Sequence, residues 1–190
     1  MALVLNSAPS VEPISLAQAK AHLRIDADDE DALLASLIAT ARTHLERTLG
    51  LALITQGWAY YLDHWPRSGV IALPVRPVQA VNAVKVHDAS GGITTLETSA
   101  YAVDVLSEPG RLAVMAALPP VATRQLNAFE IDFTAGYGDE AEDVPAPIRQ
   151  ALLLLVAHWF ERREPVSFNE GAAEVPMSVA ALLMPYRRYG

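Results

Sequence analysis

A chain of 190 residues with 52% hydrophobic and 19% charged residues is long enough for one ordinary domain and too rich in apolar side chains to be disordered over most of its length. Fourteen Lys and Arg against 22 Asp and Glu leave a formal charge of −8, so the surface as a whole is unsuited to gripping a phosphate backbone. The absence of cysteine excludes disulfides, thiolate metal sites and cysteine nucleophiles, and no wholly apolar run, that of Ala151 to Ala157 included, is long enough to cross a bilayer.

The opening MALVLNSAPSVEP has no basic n-region and too short an apolar segment for a signal peptide, so a cytoplasmic site of synthesis is the expectation. Ser15-Leu16-Ala17-Gln18 has the form of a capping box, and the spacing predicts a helix over about 15–24. A second helix is predicted over about 28–49. Asp28, Asp29, Glu30 and Asp31 would crowd its first turn, where negative charge suits the helix dipole, and Gly50 would close it. Leu33, Leu34, Leu37, Ile38, Ala41, Leu45 and Leu49 recur at three- and four-residue steps, opposite Ser36, Thr40, Thr43 and Arg47.

Over about 57–134 the texture changes to short runs of β-branched and aromatic residues broken by WPRSG, LPVRP, DASGG, SEPG and LPP, a β-rich segment. Val84-Lys85-Val86-His87 and Phe129-Glu130-Ile131-Asp132-Phe133 alternate with period two, so each should present one buried and one wet face. Gly91-Gly92 and Pro109-Gly110 are the expected hairpin turns. After the acids Asp139, Glu140, Glu142 and Asp143, the prolines Pro145 and Pro147 stand where a helix over about 146–163 would begin. Pro165 ends that helix, a linker follows, and a short terminal helix broken near Pro185 completes an arm over 165–190.

The helix predicted over 146–163 carries two apolar stripes, Ile148, Leu152, Leu155 and Trp159 on one and Leu153, Val156 and Phe160 on the other. Such a helix is either wrapped on all sides by its own protomer or shared between a protomer core and a subunit interface. Leu182, Leu183, Met184, Tyr186 and Tyr189 beside Arg187 and Arg188 have the aromatic and arginine content of protein contacts. The competing reading is a last helix packed on its own domain.

The segment FEIDFTAGYGDEAEDVPAPIRQALLLLVAHWFERRE, with the capped helix pair, LPVRPVQAVNAVKVHDASGG and YAVDVLSEPGRLAV before it, resembles the head-tail connector (adaptor or head-completion) proteins of tailed bacteriophages and phage-derived gene transfer agents. The resemblance runs over about residues 13–190. It implies an α+β protomer that is mostly a helical bundle, with a small β-rich insertion and an extended C-terminal arm. On that scheme 1–164 is the connector domain and 165–190 a linker and docking arm. It further implies a homo-oligomeric ring of twelve copies beneath the portal protein, docked through Leu182, Leu183, Met184, Tyr186, Arg187, Arg188 and Tyr189. The next head-tail joining or stopper protein would stack on the ring, and DNA would pass through its channel without sequence-specific binding. Asp139, Glu140, Glu142 and Asp143 would form a solvated or channel-facing loop. The place implied is the head-tail junction of a particle made in a bacterial host cytoplasm, with no membrane partner.

Little in the residues favours chemistry. Histidines at 22, 44, 64, 87 and 158 lack metal-ligand spacing, Gly136-Tyr137-Gly138 is too short for a dinucleotide fingerprint, the acidic loop lacks EF-hand spacing, and no G-x-S-x-G occurs. The expectation is therefore no catalytic, metal or cofactor site. A small soluble enzyme would need a constellation that is not visible, and a DNA-binding module would need a basic patch.

Overall fold

The computed structural model describes residues 1–115, 118–119, 123–162 and 176–187. The chain divides into two compact units, residues 1–10 with 50–137, and residues 11–49 with 138–190.

The second unit is helical, with α1 (Leu16–Leu23), α2 (Asp31–Leu49), α3 (Ala146–Glu161) and α4 (Met177–Leu183). The capping box at its start is complete: Ser15 Oγ accepts from the Gln18 amide at 3.1 Å, and the Ser15 amide donates to Gln18 Oε1 at 2.9 Å. Because α2 begins only at Asp31, Asp28 lies before the helix, where it pairs with Lys20 of α1. Lys20 also pairs with Asp31 at 2.8 Å, and the two carboxylates hold its ammonium above the ordinary lysine range. The buried face of α2 is narrower than its leucine content suggests. Leu34, Ile38, Ala41, Leu45 and Leu49 are buried, while Leu33, one residue round the helix, is exposed.

Pro145 caps α3, and Pro147 occupies its first turn, where a missing N–H costs nothing. The helix packs on α1, α2 and α4, which explains why apolar residues surround most of its circumference.

The first unit is a β structure. A five-stranded sheet has the order β1-β2-β8-β4-β5, from β1 (Ala2–Ser7), β2 (Gln56–Leu62), β8 (Phe129–Ala135), β4 (Val78–His87) and β5 (Ile93–Thr95). A three-stranded sheet has the order β3-β7-β6, from β3 (Val70–Ala72), β7 (Arg111–Val114) and β6 (Tyr101–Asp104). All named pairings are antiparallel. Phe129, Ile131, Phe133 and Ala135 alternate inward along the central strand β8, and with Val84, Val86, Ile71, Leu112 and Tyr101 they form one core shared by both sheets.

This architecture corrects the expected mostly helical bundle with a small β-rich insertion and an extended arm. Helix takes 35% and strand 28% of the described residues, an α+β fold in which the two sheets have their own apolar core. The expectation failed because the segment MALVLNS, read only for targeting, supplies a strand to the sheet, and because pairings such as Leu62 with Phe129 join residues far apart in sequence. Part of the arm is helix α4, which buries Val179 and Leu183.

Two turns hold the sheets in register. Asp88 Oδ1 accepts from the Ser90 and Gly92 amides at 2.7 and 2.8 Å across the Gly91-Gly92 hairpin. Asp104 accepts from the Leu106 and Ser107 amides, the Ser107 hydroxyl and the Arg111 guanidinium across the Pro109-Gly110 turn. The Ser107 hydroxyl and Arg111 hold the Asp104 carboxyl far below the usual carboxylate range.

Candidate functional site

The densest polar cluster lies on the five-stranded sheet, on the face of β8 opposite its core residues. Lys85 Nζ donates to Glu130 Oε1 at 2.7 Å and also to Asp132, while His87 Nε2 lies 2.7 Å from Glu130 Oε2. Glu130 and His87 are each 8% exposed, so the face expected to be wet is partly buried and satisfied by ion pairs. Burial pushes the Glu130 carboxyl up, but hydrogen bonds from Lys85 and His87 outweigh it and leave the group below its ordinary value. Hydrogen bonds donated to Asp132 and Glu130 hold the Lys85 ammonium above the usual lysine range. These pairs tie β4 to β8 across the sheet.

A concavity of about 430 Å³ in the helical unit is lined by Val11, Ile14, Leu16 and Ile38, with Glu140 and Glu142 among its polar residues. Its one hydroxyl, that of Ser15, accepts the cap hydrogen bond of α1. No histidine lines it, and its acidic residues are Glu12, Glu140 and Glu142. Among the described residues no group of three or more His, Cys, Asp and Glu could hold a metal ion.

The residues singled out on α3 fall into two classes. Ile148, Leu152, Leu155 and Val156 are buried in the protomer, whereas Leu153, Trp159 and Phe160 are half-buried. Trp159 meets the edge of the His44 ring from α2 at 5.8 Å between centroids. In the C-terminal segment Leu183 is buried and Leu182 and Tyr186 are half-buried, while Met184 and Arg187 are exposed. Arg188 and Tyr189 lie outside the described residues, as does the linker over 165–175.

Asp139, Glu140, Glu142 and Asp143 are exposed, but their loop is ordered by its own chemistry. Residues Ala141–Asp143 form a 3-10 turn, and Asp143 Oδ2 accepts from the Glu140 amide at 3.0 Å. The two glycines just before it serve different needs. Gly136 has φ of +144°, and a Cβ there would stand 2.6–2.7 Å from the backbone of Ile54 and Thr55. At Gly138 a Cβ would meet the Asp143 carboxylate. The motif Ala-Gly-Tyr-Gly-Asp is thus a steric device.

One surface escaped the sequence reading. All six residues of β1 are exposed, with Leu3, Val4 and Leu5 prominent. The local sequence offers only the apolar run Leu3-Val4-Leu5, without the alternation that marks a half-buried strand.

A family model for the Head completion protein matches residues 12–189, and the chain belongs to that family, of structural head-tail proteins. Solved structures agree. A chain in the virion of a native gene transfer agent (GTA) particle is 29% identical with a TM-score of 0.83, covering 100% of this chain and 97% of that one. A chain in the neck of an empty GTA particle, computed with C6 symmetry, is 28% identical with a TM-score of 0.82 and the same coverage. A third, from the neck of a native GTA particle computed with C12 symmetry, is 31% identical with a TM-score of 0.72, covering 98% of this chain and 96% of that one. No curated protein matches the chain significantly.

Proposed function

We propose that this protein is the head-tail connector, or adaptor, of a phage or gene transfer agent particle, assembled as a ring of twelve copies beneath the portal and around the DNA channel. The observation that carries the reading is the likeness over the whole chain to subunits of GTA necks computed with C6 and C12 symmetry. The ring is the surface on which the next head-tail joining protein stacks, and it resides at the head-tail junction of a particle made in the bacterial cytoplasm. Membership of a family of structural particle proteins makes enzymatic activity the weaker reading.

In this assembly the half-buried Leu153, Trp159 and Phe160 of α3 meet a neighbouring copy. The C-terminal segment meets the portal through Leu182, Met184, Tyr186 and Arg187, with Arg188 and Tyr189 beyond them, while Leu183 anchors α4 to its own unit. The acidic loop faces solvent or the channel.

Deletion of the gene is the test. Particles should be DNA-filled or DNA-leaking heads without tails when viewed by electron microscopy, and normally tailed particles would refute the reading.

Charge sets a second expectation. A subunit of net charge −8 around DNA repels phosphates, so the duplex slides through rather than being trapped. Filter binding at low salt should detect little affinity of the purified protein for duplex DNA. Tight binding that weakens steeply with added salt would contradict this.

A further inference from the structure

The five-stranded sheet has two ends, β1 and β5, and each is paired on one side only among the described residues. At the first end all six residues of β1 are exposed, and Leu3, Val4 and Leu5 remain 40%, 45% and 44% exposed although β1 is already paired with β2. Edge strands of solitary proteins are usually blunted by charge, proline or a bulge. Ala2 to Leu5 carry neither charge nor proline, and the register irregularity lies beyond them, between Leu5 and Ser7. At the second end β5 is fully exposed, with Ile93 at 60%, and its residues Ile93-Thr94-Thr95 are likewise uncharged.

A closed ring of identical copies needs two different complementary patches on each copy, one toward each neighbour. One sheet with two uncharged open ends supplies such a pair. We infer that β1 of one copy adds to the β5 edge of the next, so that antiparallel sheets are joined strand to strand around the ring. The occupant of the β1 edge is thus a second copy of this chain. Main-chain hydrogen bonds would supply the attachment, and the apolar side chains of β1 would be covered as it docks.

The inference rests on the proposed ring, and the test separates the two. Because the chain has no cysteine, Val4→Cys and Thr94→Cys introduce the only thiols. Particles carrying the double variant, treated with a short bis-maleimide, should yield a ladder of covalent multimers on a denaturing gel, while either single variant should stay monomeric. A ring visible in the neck by electron microscopy without a ladder overturns the strand pairing and leaves the ring reading standing. Dimers from Val4→Cys alone overturn it too, since they would show β1 meeting β1. Absence of the protein from particle necks overturns both. In parallel, Val4→Lys places a charge on an exposed edge position. The purified variant should keep its thermal midpoint while tailed particle yield falls at least tenfold, and normal yield would overturn the pairing.

Discussion

Leu183→Ala should destabilise the protein by roughly 3 kcal/mol, the usual cost of emptying a buried leucine site. For a chain of this size that corresponds to a fall in thermal midpoint of about 10 °C. Leu183 and Val179 are the two buried residues of α4, and α4 packs on α3, so the cavity would open against the helix that α1 and α2 also contact. Met184→Ala, next in the chain but 60% exposed, should change stability by no more than about 0.5 kcal/mol. The pair separates two duties of one segment. If Met184 belongs to the portal-docking surface, its substitution weakens co-purification with portal while leaving the melt unchanged. Truncation after residue 175 should lose both stability and docking. An unaltered melt for Leu183→Ala would show that α4 contributes nothing to its unit.

The second large effect is expected at Gly136. Its positive φ and the backbone of Ile54 and Thr55 at 2.6–2.7 Å from a would-be Cβ leave no soft neighbour to yield. The amide on the same residue donates to Pro77 O at 2.9 Å, and that of Tyr137 donates to Leu53 O, so the loop cannot move away without breaking both bonds. Gly136→Ala should cost at least about 2 kcal/mol, from overpacking combined with backbone strain. Gly138→Ala meets the Asp143 carboxylate and Cβ rather than backbone, and breaks the Asp143 bond to the Glu140 amide, for about 1 kcal/mol. Denaturant titration should rank the variants in that order. Equal effects would mean that the Asp143 turn, rather than the approach to Ile54 and Thr55, dominates the motif.

What the sequence disclosed was local. The Ser15–Gln18 box, the prolines opening α3 and the inward alternation of β8 depend on residues within a few positions of one another, so their physics is written in short windows. The partner of a strand is not. Nothing near Tyr60 indicates that it lies opposite Ile131, and nothing near Lys85 indicates that two acids on β8 will bury part of a face that alternation marks as wet. β1 was missed for a related reason. An edge strand with both faces exposed has no alternation to display, so Leu3-Val4-Leu5 reads as an unremarkable apolar start. At the candidate surfaces, sequence composition marked Leu182, Leu183 and Met184 alike, and only burial divides the inward Leu183 from the outward Met184.

The position of β8 in the sheet also governs the order in which the protein can be made. β2 and β4 both pair with β8 rather than with each other, yet β8 is the last strand of the sheet to be synthesised. While residues 56–128 leave the ribosome, the central place between β2 and β4 is empty, and their inner edges stay open until Phe129–Ala135 emerges. Closure over so long a sequence separation is slow compared with helix formation. The nascent chain thus spends that interval with unpaired strand edges and an incomplete core, the state most exposed to aggregation. A chain stalled before residue 129 would have lost only its last strand and helices, yet it would have no five-stranded sheet.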